Sequence, residues 1–120
     1  MARYAILLNA GPTAVGPPVN ALQYALQLDE HGHDVGVFFD GAATKWPEKL
    51  ASMADHPLRE YYDEARARSV IEGVCGFCAH RYGTVQHCRE GGLQLYGDAE
   101  THGPDVGHLA SEGYQLLTVG

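Results

Sequence analysis

The sequence has few cysteines and no long apolar run, and these two shortages exclude several classes of protein. Only three of the 120 residues are cysteine. An odd and small number of cysteines is not the disulfide framework of a small secreted domain. No apolar stretch approaches the roughly 18 residues that a membrane-spanning helix requires. The sequence therefore predicts neither a disulfide scaffold nor a protein that associates with a membrane.

Basic residues are also scarce. Eight lysines and arginines stand against fifteen acidic residues, which gives a net charge of −7. Binding to nucleic acid or to an anionic membrane surface requires a clustered basic face, and the arginines of this chain are scattered. We therefore expect no nucleic-acid partner, and we interpret the acidic surface as a contribution to solubility.

The first residues are typical of a strand. Met1-Ala2-Arg3-Tyr4 carries one charged side chain and leads into an apolar run that is too short for a secretory signal. No small-residue cleavage site follows it. We interpret this segment as the first strand and expect a cytoplasmic protein. The length predicts one domain, residues 1–120.

Apolar runs typical of strands alternate with helical periodicities along the chain. We predict strands over 4–8, 35–39, 69–74, 93–96 and 114–119. Helices are predicted over 19–31, within 42–54, from 57 onward, over 76–90 with an interruption at Gly83, and over 105–113. Alternation with short connections predicts an α/β domain with a mostly parallel sheet and helices on both faces.

Three candidate binding or catalytic residues lie at predicted strand ends. Right-handed crossovers place the carboxyl ends of parallel strands along one edge, where open α/β sheets bind ligands. Asn9, Asp40 and Cys75 end the first three strands. Asp40 precedes Gly41, so a turn-forming role is the favoured interpretation for this aspartate.

Cys75 is the strongest candidate for chemistry. It lies where a strand passes into a helix, so its sulfur is expected near backbone N–H groups and the positive end of the helix dipole. Both stabilise a thiolate. A cysteine with a pKa of about 8.5 is about 3% ionised at pH 7, whereas one with a pKa of about 7 is half ionised. We predict that Cys75 is a nucleophile.

The residues after Cys75 extend this motif. Cys78 is three positions further on, a spacing that puts helical Cβ atoms about 5–6 Å apart, so that it is placed to resolve a persulfide or sulfenate on Cys75. An inert apolar role for Cys78 stays open. Gly76 leaves backbone N–H groups accessible, and His80 and Arg81 are candidates for nearby positive charge. Cys88 is interpreted as a buried apolar residue.

Metal and nucleotide sites are not predicted. A zinc site built on the cysteine pair needs two further ligands from His80, His87, Cys88 or His102, and no second ligand pair has suitable spacing. The glycines of segment 11–16 fit neither phosphate-binding pattern. We therefore expect no metal and no cofactor.

Two further residues are left with open roles. His102 is interpreted as a surface histidine rather than as an acid–base group of a neighbouring site. For Trp46, a core position, a pocket wall and an interface position remain alternatives.

Four segments resemble the DsrE/DsrF-like family, which includes TusD-like sulfur-relay proteins. They are residues 4–12, 21–33, 37–42 and 74–83. The resemblance implies a three-layer α/β/α fold with a parallel five-stranded sheet, and assembly into homotrimers or homohexamers. In sulfur-relay members the cysteine that ends the third strand accepts and passes on a persulfide sulfur. That position corresponds to Cys75, with Gly83 at the family's helix-ending glycine.

The favoured hypothesis is therefore a sulfur carrier or sulfurtransferase that forms a persulfide on Cys75. Its partners would be sulfur donor and acceptor proteins or small thiols. TusD-like members lack a second cysteine, so the resemblance implies no role for Cys78. A thiol–disulfide oxidoreductase that uses Cys75 and Cys78 and a non-catalytic oligomeric ligand-binding scaffold remain alternatives.

Overall fold

Five strands form one parallel sheet in a computed structural model that describes residues 1–120. They are β1 (Arg3–Leu8), β2 (Asp34–Phe39), β3 (Ile71–Cys75), β4 (Gln94–Tyr96) and β5 (Tyr114–Val119). Their order across the sheet is β4-β3-β2-β1-β5, and every neighbouring pair is parallel. All five predicted strands are confirmed. The third begins two residues later than predicted and includes Cys75 as its last residue.

Helices fill the connections between the strands. They are α1 (Gly16–Glu30), α2 (Trp46–Ser52), α3 (Arg59–Ala67), α4 (Gly76–Tyr82), α5 (Val85–Glu90) and α6 (Val106–Ser111), with a 3-10 helix over Gly41–Lys45. The helix predicted over 76–90 is two helices, because Gly83 adopts φ +68° and ends α4. α1 begins three residues earlier than predicted, since prolines are compatible with a first helical turn. None of the helices is long and apolar enough to span a bilayer.

The sheet is covered unequally on its two faces. Neighbouring residues of β1 point to opposite faces, so Ile6 and Leu8 belong to a core of 19 buried residues, whereas Ala5 and Leu7 belong to a small cluster with Phe38. Leu109 of α6 packs against the small cluster. The return from β4 to β5 places α6 on this second face, which confirms the three-layer α/β/α architecture.

Trp46 is a core residue, which decides among the three roles left open by the sequence. Its side chain is fully buried, and its indole Nε1 donates a hydrogen bond to the carbonyl of Ala10 at 2.9 Å. The indole also meets the ring of His56 edge-on. Trp46 therefore ties the segment after β2 to the loop after β1, two of the loops at the carboxyl edge of the sheet.

Candidate functional site

The carboxyl ends of β1, β2 and β3 lie side by side, because these three strands are neighbours in the sheet. Asp40 and Cys75 lie at this edge, as the topology argument predicted. Asn9 also lies here, but its side-chain amide donates to the carbonyl of Leu7 at 3.4 Å. Asn9 makes no side-chain hydrogen bond to either cysteine.

Cys75 lies where the sequence predicted, at the junction of β3 and α4. It is the N-cap residue of α4, and its Sγ accepts a hydrogen bond from the backbone N–H of Cys78 at 3.4 Å. This bond stabilises negative charge on the sulfur. The residue is completely buried. The structure therefore supplies the expected N–H donor but covers the sulfur.

Cys78, in contrast, faces solvent through a shallow cleft. The cleft has a volume of about 390 Å³ and is lined by Gly41, Phe77, Cys78, Arg81 and Tyr82. Burial raises the pKa of Cys78 to about 12, and hydrogen bonding to Cys75 and the charge of that neighbour contribute. Cys78 therefore remains a thiol at neutral pH, and its Sγ lies 3.4 Å from Asp40 Oδ1.

Asp40 combines the two roles that were weighed as alternatives. Its Oδ1 accepts the backbone N–H of Gly41 at 2.8 Å and so caps the 3-10 helix, which is the predicted turn role. The same carboxylate lies 3.0 and 3.1 Å from Nε2 of His102. Only 15% of the Asp40 side chain is exposed. The carboxylate therefore links the turn after β2, the thiol of Cys78 and the imidazole.

His102 is a surface histidine, as predicted, and it also contacts a residue of the site. Its side chain is 47% exposed, as expected of a surface residue, but it contacts Asp40 rather than solvent alone. Asp98 shapes the loop that carries it, because backbone N–H groups of Glu100 and Thr101 donate to Asp98 Oδ1 at 2.9 and 2.8 Å. These two bonds lower the pKa of Asp98. The segment Asp98-Ala99-Glu100-Thr101 is typical of a turn. Nothing in the local sequence indicates that this turn brings His102 to Asp40.

Gly76 allows the His102 loop to reach the cysteines. A Cβ on Gly76 would lie 2.8 Å from the carbonyl oxygen of Gly97, closer than real Cβ contacts. Gly76 therefore permits a close backbone approach between the start of α4 and the end of β4. This is a structural reason for glycine, distinct from the open N–H groups that the sequence suggested.

The remaining predicted residues divide between the cleft, the surface and the core. Arg81 lines the cleft next to Cys78. His80 is exposed and lies outside the group formed by Asp40, Cys75, Cys78 and His102. Cys88 is completely buried, which confirms its interpretation as a core residue, and burial raises the pKa of its thiol.

Fold and site together define a small three-layer α/β/α protein with a thiol pair at the carboxyl edge of a parallel sheet. The chain matches the DsrE/DsrF-like family over residues 2–119, and it belongs to that family. It is similar to the uncharacterized protein MJ0733 of Methanocaldococcus jannaschii, with 26% identity over 99 residues, 82% of this chain and 77% of that protein. The family is linked to sulfur relay in general.

Proposed function

We propose that this protein is a sulfur carrier that holds a persulfide on Cys75 and passes the outer sulfur to an acceptor thiol. The observation that carries the proposal is the N–H···Sγ bond from Cys78 to Cys75, at 3.4 Å, in a member of a family linked to sulfur relay. A bond donated to sulfur stabilises both a thiolate and the inner sulfur of a persulfide anion. Cys88 has no backbone N–H donor of this kind, since the hydrogen bonds of its Sγ go to the carbonyl of Thr44 and the hydroxyl of Thr84.

The transfer needs no outside oxidant. The thiolate of Cys75 attacks the outer sulfur of a donor persulfide, the donor's S–S bond breaks, and the donor leaves as a thiolate. The acceptor thiolate then attacks the outer sulfur on Cys75, which leaves Cys75 as a thiolate again. Each step exchanges one S–S bond for another, so oxidation states balance over the cycle.

Access to Cys75 runs past Cys78. Cys75 is fully covered, whereas Cys78 lines the cleft and its sulfur lies within 4.8 Å of that of Cys75. Rotation of the partly buried Cys78 side chain about χ1 to another staggered rotamer would open a path from the cleft. We infer that a small donor, or the extended cysteine of a partner protein, enters here.

The first test is sulfur loading of a Cys75→Ser protein. The reduced, metal-free wild-type chain, incubated with a persulfide donor, is expected to gain the mass of one sulfur atom on Cys75 in intact-protein and peptide mass spectrometry. Serine offers no thiolate, so loading of Cys75→Ser is expected to fall at least about tenfold, to background. Cys88→Ser, which removes a buried thiol, is the matched control and should load like the wild type. Equal loading of Cys75→Ser would contradict the proposal and favour a scaffold.

A thiol–disulfide oxidoreductase is the second candidate function. The observation that favours it is the distance of at most 4.8 Å between the sulfurs of Cys75 and Cys78. A disulfide requires about 2.05 Å, which a modest change in two χ angles can supply. The two functions differ in their need for Cys78.

We also propose that the chain forms a homo-oligomer, a trimer or hexamer, through the exposed edge of β5. Leu116 and Leu117 are 39% and 37% exposed on this edge strand. Tyr24, Leu28 and Leu117 line a groove beside it. Exposed apolar edges are rarely left uncovered. The covering partner that we propose is a second copy of the chain.

The sulfur donor and acceptor would then reach the thiols through the cleft. Free thiols require a reducing compartment, and the one we propose is the cytoplasm.

A charge on β5 is expected to break this assembly. Leu116→Glu should convert the oligomer to monomer in light scattering after size exclusion, because a carboxylate buried in an apolar contact is costly. Met53→Glu is the control, since Met53 is 41% exposed and follows α2, away from β5. A wild-type chain that is monomeric at all concentrations, or a Leu116→Glu protein that still assembles, would exclude this interface.

A further inference from the structure

Four metal-ligating side chains converge on the carboxyl edge of the sheet from four different segments. Asp40 follows β2, Cys75 ends β3, Cys78 lies in the first turn of α4, and His102 comes from the loop after β4. One oxygen, two sulfurs and one ring nitrogen lie within 4.8 Å of one another. The carboxylate of Asp40 adds an oxygen ligand to the cysteines and histidines, whose spacing along the chain alone predicted no zinc site.

The spacing of these atoms is close to that of a tetrahedral zinc site. Zn–S bonds of about 2.3 Å and Zn–N or Zn–O bonds of about 2.0 Å require neighbouring ligand atoms to lie about 3.3–3.8 Å apart. Cys78 Sγ lies 3.4 Å from Asp40 Oδ1, and His102 Nε2 lies 3.0 Å from the same oxygen. Two of the spacings that such a site needs are therefore nearly present, and the other ligand atoms lie within 4.8 Å of one another.

The kinds of donor select the metal. Two thiolates, one imidazole and one carboxylate form a borderline-soft set, which suits Zn²⁺, whereas Mg²⁺ and Ca²⁺ require oxygen ligands. Supporting hydrogen bonds are already present: Gly41 N–H donates to Asp40, and Cys78 N–H donates to Cys75. Such bonds orient metal ligands. Because the imidazole of His102 is exposed, an ion can reach the site from solvent.

We propose that Asp40, Cys75, Cys78 and His102 bind one Zn²⁺ ion per chain. The two thiol protons leave to solvent when the metal binds, and no oxidation or reduction occurs. Since both sulfurs are then coordinated, the zinc-bound chain does not accept a persulfide sulfur. Metal binding and sulfur loading compete for Cys75, so zinc would keep the thiols reduced and unreactive until it is removed.

The test uses Co²⁺ as a spectroscopic substitute for Zn²⁺ on the reduced full-length chain without any sulfur donor. Titration is expected to saturate at one Co²⁺ per chain, with thiolate-to-cobalt charge-transfer absorption and the visible bands of tetrahedral cobalt. Added Zn²⁺ should displace the cobalt and so remove both the charge-transfer absorption and the visible bands. Failure to observe tetrahedral, thiolate-bound cobalt overturns the proposal, while sulfur loading of the metal-free chain, measured separately, remains unaffected by that failure.

Two histidine variants assign the nitrogen ligand. His102→Ala, at a half-exposed loop position, is expected to weaken Zn²⁺ binding by at least about tenfold in competition with a chromophoric chelator, since even the loss of an outer-shell partner has that effect. His80→Ala, an exposed histidine outside the group of four, is the matched control and should bind like the wild type. Equal affinity of His102→Ala and the wild type would overturn the four-ligand site.

Discussion

A Cys78→Ser protein is expected to accept sulfur on Cys75 and to lose formation of the intramolecular disulfide completely. The backbone N–H of Cys78 that bonds to Cys75 Sγ is retained in serine, so the charge stabilisation of Cys75 persists. The second sulfur, which a disulfide requires, is gone. Non-reducing peptide mapping after mild oxidation measures the disulfide, and the mass gain after incubation with a persulfide donor measures sulfur loading.

The same variant separates the carrier from the reductase. In the wild type, the small thiolate fraction of Cys78 can attack the inner sulfur of the Cys75 persulfide, which forms the Cys75–Cys78 disulfide and releases sulfide. Without Cys78 this discharge cannot occur, so the persulfide of the variant is expected to last longer. Cys88→Ser keeps both site thiols and should behave as the wild type in both measurements. A Cys78→Ser protein that fails to load sulfur while remaining folded would exclude Cys75 as an independent carrier.

Trp46→Ala is expected to lower the free energy of unfolding by about 3–5 kcal/mol, the range for removal of a large aromatic side chain from a core. The indole is completely buried and bonds to the carbonyl of Ala10, so alanine leaves both a cavity and an unpaired carbonyl. Since small domains have total stabilities of about 5–15 kcal/mol, this is a large fraction. Urea unfolding followed by circular dichroism measures the change.

Trp46→Phe serves as the partner variant for this measurement. Phenylalanine keeps most of the apolar volume but has no N–H, so the expected loss is about 1–3 kcal/mol, the cost of an unsatisfied buried group. The difference in the free energy of unfolding between Trp46→Ala and Trp46→Phe then measures the cost of the larger cavity. A Trp46→Ala protein within about 0.5 kcal/mol of the wild type, the range of ordinary surface substitutions, would contradict the core assignment.

The two proposals for the edge of the sheet make different demands on the same sulfurs. Sulfur relay needs a free thiolate on Cys75, whereas zinc binding occupies it together with Cys78. Asp40 fits both proposals: its carboxylate accepts a hydrogen bond from the Cys78 thiol and would be a ligand to zinc. His102 Nε2 lies 3.0 Å from Asp40 Oδ1, and this contact positions the imidazole beside the carboxylate.

Local patterns were sufficient to predict most of the fold. The apolar run at the start of the chain indicates a strand covered on both faces, and β1 is almost wholly buried from Ala5 to Leu8. Gly83 was expected to interrupt a helix, and it separates α4 from α5. These features depend on neighbours in sequence, so periodicity and glycine conformations reveal them. Local patterns did not predict that one face of the sheet carries the 19-residue core and the other face only a small cluster.

The positions of Asp40 and Cys75 at one edge of the sheet follow from local patterns, because strand–helix alternation predicts parallel strands and the carboxyl ends of parallel strands lie side by side. Three features of the site depend on how distant segments pack: Cys75 is covered, Cys78 faces the cleft, and His102 contacts Asp40 across 62 positions of the chain. Those features depend on how closely the loop after β4 packs on the start of α4, at Gly76 and Gly97. Close packing between segments that are distant in sequence produces no periodic pattern of residues, so it cannot be predicted from a local stretch of the chain.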